Sequence, residues 1–135
     1  MALNPKTSLA SRALALNAAF DILNNGKLII YDGTQPTDAD TALGAQVDLA
    51  DLTLSATAFA AASAGSKVAN SITQDSSANA TSTATWATLV ASARTTTGTM
   101  DMSAGTSTVN LVLNSAAISS GAAVSCSSLT ITQAA

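Results

Sequence analysis

Apolar residues near the start of the chain follow the spacing of an α-helix. Between Ser8 and Asn25 five of them recur at steps of three and four, which places them on one helical face. They are Leu9, Ala13, Leu16, Phe20 and Leu23. The hydroxyl of Thr7 or Ser8 can cap the first turn, and Gly26 is suited to end the helix in a left-handed conformation. The pattern therefore predicts an amphipathic helix over residues 8–25.

After Gly26 the helical spacing gives way to short runs of β-branched and apolar residues. These runs predict about seven strands separated by turn-forming residues. The predicted strands span residues 27–31, 47–55, 67–73, 81–93, 99–102, 109–113 and 122–132. A change in the alternation of apolar positions predicts a bulge or bend near Ala50 and Asp51, and a second bend in the last strand. The number and spacing of the strands favour an antiparallel β-sandwich or jelly-roll-like domain.

The domain organisation follows from these elements. Pro5 favours an extended backbone before it, and no apolar pattern precedes Leu9, so residues 1–7 are expected to form an extended N-terminal arm. Residues 8–135 are expected to form a single domain, in which the helix is followed by a β-sandwich over residues 27–132.

The composition indicates a thin core. Alanine, serine and threonine number 30, 18 and 19 of the 135 residues, whereas leucine, isoleucine, valine and phenylalanine together number 28. Burying an alanine methyl group contributes much less than burying a leucine side chain. We therefore expect the isolated chain to be marginally stable, and to gain stability by packing against copies of itself or against a larger body.

Charge and missing residue types exclude several functions. The chain has no histidine or glutamate, which excludes Ser-His-Asp triads, HExxH zinc sites and His-Cys metal sites. Its five Lys and Arg residues are scattered singly and its net charge is −3, which argues against nucleic-acid binding. No apolar run approaches the ~20 residues of a membrane span. We therefore predict a protein that is not an enzyme, with no catalytic residue, no cofactor, no bound metal, and no nucleic-acid or membrane partner.

Three local motifs have ordinary interpretations. Three aspartates in one loop offer oxygen ligands to calcium, but their spacing matches no EF-hand and solvated side chains are favoured. They are Asp32, Asp38 and Asp40. The first apolar stretch faintly resembles a signal peptide, but Asn17 and Asp21 interrupt it, which favours an unprocessed cytosolic start. The tripeptide Asn79-Ala80-Thr81 fits the N-glycosylation pattern, which carries no weight without such a signal.

Two single residues have competing interpretations. Cys126 cannot form a disulfide within the chain and is interpreted as a small core residue of the last strand. Trp86 is interpreted as the main anchor at the centre of the core, and the alternative is an exposed platform on which a sugar stacks. The exposure of Trp86 distinguishes these two interpretations.

The order of elements along the chain resembles a known group of proteins. The strand and turn at 26–36 follow a short N-terminal helix, and the segments 52–65 and 84–87 stand downstream. Residues 109–111 and a turn containing Gly121 precede a final strand rich in serine and threonine. This pattern resembles a family of small virion structural proteins of tailed bacteriophages. The resemblance spans nearly the whole chain, and its motifs are structural rather than chemical.

The resemblance implies a particle component without catalysis. The expected role is that of a capsid decoration, or cement, protein made in the host cytoplasm, which binds the major capsid protein on the outer shell and forms a homotrimer. The arm and the helix would reach neighbouring chains, with Leu3, Pro5, Leu9 and Leu16 as candidate assembly contacts. The alternatives are a tail, connector or fibre-base subunit, or a module that binds a glycan on the host surface.

Overall fold

The computed structural model of the chain describes residues 6–92, 100–105 and 110–132. This part of the chain is mainly β with one helix at its N-terminal end, which confirms the predicted mainly β class with one N-terminal helix. The described residues form ten strands where about seven were predicted, and eight of them belong to one sheet. The helix is α1 (Leu9–Asp21). The strands are β1 (Lys27–Tyr31), β2 (Asp48–Leu54), β3 (Ser66–Val68), β4 (Ile72–Thr73), β5 (Ser82–Thr83), β6 (Trp86–Val90), β7 (Met100–Gly105), β8 (Leu111–Leu113), β9 (Ala117–Ile118) and β10 (Cys126–Thr132).

The helix begins where the sequence predicts and ends earlier. The Ser8 hydroxyl accepts a hydrogen bond from the Ser11 backbone N–H at 3.1 Å, as an N-cap does. After Asp21 the chain leaves the helix through a tight turn, in which Asn25 adopts the left-handed conformation with φ of 58°. The predicted left-handed position at Gly26 is therefore wrong by one residue.

Gly26 has a steric role instead. A Cβ atom there would collide with the carbonyl oxygen of Val90 on β6 and lie 2.8 Å from that of Leu23. Both obstacles are backbone atoms, which cannot rotate away. The absence of a side chain at Gly26 thus lets the helix exit lie directly against the sheet.

Eight strands form one sheet in the order β3-β10-β8-β7-β6-β1-β2-β4. Neighbouring strands are antiparallel except β7 and β8, which are parallel. The edge strands β3 and β4 are consecutive in the chain, so Val68 and Ile72 lie at most about 14 Å apart. Asp75, just after β4, and Val124, just before β10, exchange backbone hydrogen bonds of 3.0 and 2.8 Å. These hydrogen bonds connect one edge of the sheet to the other. The sheet therefore curls until its two edges meet, and it encloses the main core.

Two predicted strands are divided in the structure. The segment 81–93 forms β5 and β6, because Ser82 and Thr83 pair with β9 in a separate two-stranded sheet while β6 pairs with β1 and β7. The segment 67–73 likewise supplies β3 to one edge of the curled sheet and β4 to the other. The predicted turn at 95–98 and residue Ala93 lie outside the described residues.

Both predicted irregularities are present. In the β1–β2 pair, Ile30 lies opposite Ala50 and Tyr31 opposite Asp48, which leaves Leu49 as an extra residue. In β10 the register shifts between Cys126 and Ser128. The first bulge allows the adjacent residues Leu49 and Ala50 both to join the main cluster, whereas strict alternation would place them on opposite faces of the sheet.

Buried apolar side chains form two clusters. The main cluster lies inside the curled sheet under α1, where the rings of Phe20 and Phe59 meet edge to face at 5.1 Å. The smaller cluster lies on the other face of β1 and β6. It consists of Ile29, Tyr31, Trp86 and Val90. Trp86 is 1% exposed, so its predicted burial is confirmed, but it anchors the smaller cluster rather than the centre of the main core.

Candidate assembly surface

One face of α1 is apolar and exposed. Residues four apart along this side of the helix are Ala10, Leu14, Ala18 and Ile22, and we call this set the outer face. Leu14 is 71% exposed and Ile22 is 58% exposed, although leucine and isoleucine are ordinarily buried. The exposed polar side chains of Ser11 and Asp21 lie on the same side of the helix, near its two ends. A helix with apolar side chains on two opposite faces is typically covered by other protein on both faces.

The opposite face of α1 is part of the main core. Leu16 and Phe20 are 6% and 4% exposed, and Leu23 in the following turn is fully buried. The predicted assembly contact Leu16 therefore packs inside the chain and offers almost no surface. Leu9 is 56% exposed and remains a candidate contact. The other two candidates, Leu3 and Pro5, lie outside the described residues.

The outer face was not predicted from the sequence, because the prediction rested only on the apolar stripe that contains Leu16. A second stripe is present in the printed sequence, because Leu14, Ala18 and Ile22 recur at steps of four. That spacing places them on one side of a helix, about half a turn away from the stripe that contains Leu16. Two stripes on one short helix are the signal that identifies such a surface.

A buried lysine fixes α1 against the sheet. Lys67 on β3 is 2% exposed, and its ammonium group donates a hydrogen bond of 2.7 Å to Oδ1 of Asn17. The same Asn17 oxygen accepts the backbone N–H of Ala62 at 3.1 Å, and the Asp21 carboxylate lies 4.0 Å from the ammonium group. A buried ammonium group is tolerated only where such partners replace water. The helix is thus held in one orientation, which fixes the direction of its outer face.

A long loop between β1 and β2 uses its carboxylates to hold its own backbone. Asp32 accepts the backbone N–H of Val47 at 2.7 Å, which closes the base of the loop. Asp38 accepts the backbone N–H of Asp40 at 3.1 Å and the hydroxyl of Thr41 at 2.8 Å. Within the described residues, His, Cys, Asp and Glu side chains form no group of three or more that is suited to a metal ion. These aspartates therefore have a structural use in the loop.

Trp86 has no free ring face. Its indole is stacked on Tyr31, with ring centroids 4.6 Å apart and an interplanar angle of 16°. Its Nε1–H donates to the carbonyl oxygen of Asp32 at 3.0 Å, at the base of the same loop. Since a sugar stacks on an exposed ring, the glycan-binding interpretation of Trp86 is wrong.

Cys126 borders a small open cavity. The cavity has a volume of about 260 Å³ and lies between residues 69–72 and residues 126–129, where the edge segment separates from β10. The thiol is half-buried and donates a hydrogen bond of 3.2 Å to the carbonyl oxygen of Ser128. Burial raises the pKa of Cys126 to about 11. The thiol is therefore protonated at neutral pH, and a protonated thiol is a poor nucleophile.

Comparison with known proteins gives no relative. No protein-family model, curated protein or solved structure matches the chain. Among the described residues, no helix is both long and apolar enough to cross a membrane. The resemblance to tailed-phage virion proteins thus stays a prediction from the sequence pattern.

Proposed function

We propose that the chain is a non-enzymatic virion structural protein, and specifically a capsid decoration protein of a tailed bacteriophage. It binds the major capsid protein on the outer surface of the head and stabilises the shell. On the particle it forms a homotrimer, which matches the local three-fold positions of a shell. The sequence resemblance supports the proposed family, and exposed surfaces in the structure support a role in assembly.

The observation that carries the proposal is the exposed outer face of α1. Exposed large apolar side chains on a fixed helix mark sites of contact with other proteins. Leu14 is the most exposed of the large apolar side chains in the described part of the chain. The buried ammonium group of Lys67 holds the helix in place, so the contact surface exists before a partner arrives.

The thin core supports the same role. A chain that is rich in alanine buries little apolar area for each ordered residue. A partner that binds only the folded chain therefore raises its free energy of unfolding. The small net charge of −3 limits repulsion between many copies on one shell.

Co-sedimentation with phage parts tests the proposal. The purified chain is mixed separately with capsids that lack it and with isolated tails of the phage that carries its gene. We expect saturable binding to capsids, weakened by Leu14→Asp and unchanged by the control Leu43→Asp in the exposed loop between β1 and β2. Binding to tails alone would assign the chain to the tail instead. Binding to neither capsids nor tails would overturn the proposal that the chain is a structural component of the head or the tail.

A further inference from the structure

The side chains of Lys67 and Asn17 bring together two groups that can react with each other. Nζ of Lys67 lies 2.7 Å from Oδ1 of Asn17. Since a C=O bond is about 1.2 Å long, the carboxamide carbon Cγ lies at most about 3.9 Å from that nitrogen. Reacting atoms that are held about 3–3.5 Å apart are close to the geometry of attack. A small rotation of either side chain therefore places the lysine nitrogen against the carbon of the carboxamide.

The carbonyl group of Asn17 is polarised by two hydrogen-bond donors. Oδ1 accepts the backbone N–H of Ala62 at 3.1 Å as well as the Lys67 ammonium group. When an amine adds to Cγ, negative charge develops on this oxygen. A backbone N–H that is already in place stabilises that charge, as the donors of an oxyanion hole do.

A carboxylate lies beside the same ammonium group. Asp21 follows Asn17 by four residues on α1, so the two side chains are neighbours on the helix surface. Oδ1 of Asp21 lies 4.0 Å from Nζ of Lys67. The attacking species is the neutral amine, so the ammonium group must first lose a proton, and Asp21 is placed to accept it. Asp21 is 68% exposed, which leaves this side of the site open to water.

We propose that Lys67 and Asn17 form an intramolecular isopeptide bond, with Asp21 as the general base. Asp21 takes a proton from the ammonium group, and the lysine nitrogen forms a bond to Cγ of Asn17. The protonated Asp21 then gives its proton to Nδ2, the Cγ–Nδ2 bond breaks, and ammonia leaves. The attacking nitrogen loses a second proton, which the ammonia takes up in water as an ammonium ion. The products are a secondary amide and an ammonium ion, and no oxidant or cofactor is needed.

The isopeptide bond ties α1 to β3 covalently. It joins positions that are 50 residues apart in the chain, and a cross-link that closes such a loop lowers the entropy of the unfolded chain, as a disulfide does. A chain with a thin core gains stability in this way without any added apolar side chain. The reaction does not depend on the proposed role in a virion. In the structure the two side chains are separate and hydrogen-bonded, which is the arrangement before reaction.

The intact mass of the purified, folded chain tests the bond. Loss of ammonia lowers the mass by about 17 Da from the value calculated for the sequence. We expect this loss in the native chain and not in Lys67→Met or Asn17→Ala, each of which lacks one reacting group. Lys27→Met is the matched control and should keep the loss, because Lys27 lies 3.4 Å from the carboxylate of Asp51 rather than from a carboxamide. A native chain that keeps its full calculated mass after prolonged incubation would overturn the proposal, whether or not the variants fold.

Digestion with trypsin locates the bond. Trypsin cleaves after lysine and arginine, so the unlinked chain gives 13–27 and 28–67 as separate peptides. The isopeptide bond blocks cleavage at the linked lysine and joins 13–27 to 28–94 in one branched product. Succinimide formation at Asn25-Gly26 also releases ammonia, but it leaves the peptides separate. A mass loss that comes only from a succinimide would therefore contradict the cross-link.

The rate of cross-linking tests the role of Asp21. Because Asp21 is largely exposed, Asp21→Asn is expected to fold, which circular dichroism checks. After cell-free synthesis, we expect the branched product to form at least ~10-fold more slowly in Asp21→Asn than in the native chain. Asp40→Asn, at an exposed position in the loop between β1 and β2, is the matched control and should react at the native rate. Equal rates in the native chain and Asp21→Asn would overturn the assignment of Asp21 as the base.

Discussion

At the scale of single residues, Trp86 is expected to be the most costly side chain to truncate in the smaller cluster. Trp86→Ala removes the stacking on Tyr31 and the hydrogen bond to Asp32, and should lower the free energy of unfolding by about 3–5 kcal/mol. Trp86→Phe keeps an aromatic ring and should cost less. Urea denaturation measures both variants, and a loss below about 1 kcal/mol for Trp86→Ala would contradict its role as anchor.

The polar and aromatic side chains that the fold buries could be identified only in part from the sequence. The burial of Trp86 was predictable, because a single tryptophan among small residues is the largest apolar side chain to remove from water. Its place in the smaller cluster was not predictable, since β1 and β6 are buried on both faces and alternation does not tell one face from the other. The burial of Lys67 gave no sequence signal, because it depends on Asn17, which is 50 residues away in the chain.

The raised pKa of Cys126 predicts a pH dependence. The thiol has a pKa of about 11 in the folded chain against 9.0 for an unperturbed cysteine, so folding favours the protonated form. Its contribution to stability is complete below pH 9 and is lost as the pH rises from 9 towards 11. Denaturation curves at several pH values should therefore show a steeper alkaline loss for the native chain than for Cys126→Ser. Identical slopes would show that the thiol is not desolvated by folding.

At the scale of elements, local sequence patterns predicted the type and order of the helix and strands better than they predicted which strands pair with each other. The strand 27–31 and both bulges were predictable because they depend on the identity of adjacent residues. The division of 81–93 into β5 and β6 was not, because it depends on β9, a two-residue strand with no pattern of its own. The parallel pairing of β7 with β8 and the closure of the sheet are likewise set by distant partners.

The helix exit at Gly26 is expected to tolerate no side chain. Gly26→Ala places a Cβ against backbone oxygens of Val90 and Leu23, which should cost about 1–3 kcal/mol through overpacking. Gly44→Ala is the matched control, since a Cβ there meets only the Gln46 side chain at an ordinary 3.5 Å. Thermal unfolding compares the two, and equal melting temperatures would disprove the steric role of Gly26.

The attachment of α1 to β3 is expected to depend on Asn17. Asn17→Ala removes the nearest acceptor of the buried Lys67 ammonium group and should cost about 1.5–3 kcal/mol. Asn17→Asp restores an acceptor and should retain most of the stability. Hydrogen exchange of the α1 amides measures the local effect, and unchanged protection in Asn17→Ala would show that the apolar contacts alone hold the helix.

At the scale of the whole molecule, a thin core and an exposed helix face have one explanation in common. Leu14 and Ile22 stay outside although few large apolar side chains are available to the core. Their exposure supports the proposal that this face of the helix contacts another protein. The helix and its two apolar stripes were predictable from spacing, but the stripe that stays exposed was not, because that depends on which side of the helix the sheet covers.

A reconstruction of the phage head at near-atomic resolution tests the proposed function most directly. We predict density for this chain on the outer surface of the shell at local three-fold positions. It should be fitted by the curled sheet and α1, and should contact the major capsid protein. Density for the chain inside the head, or on the tail with none on the shell, would contradict the account.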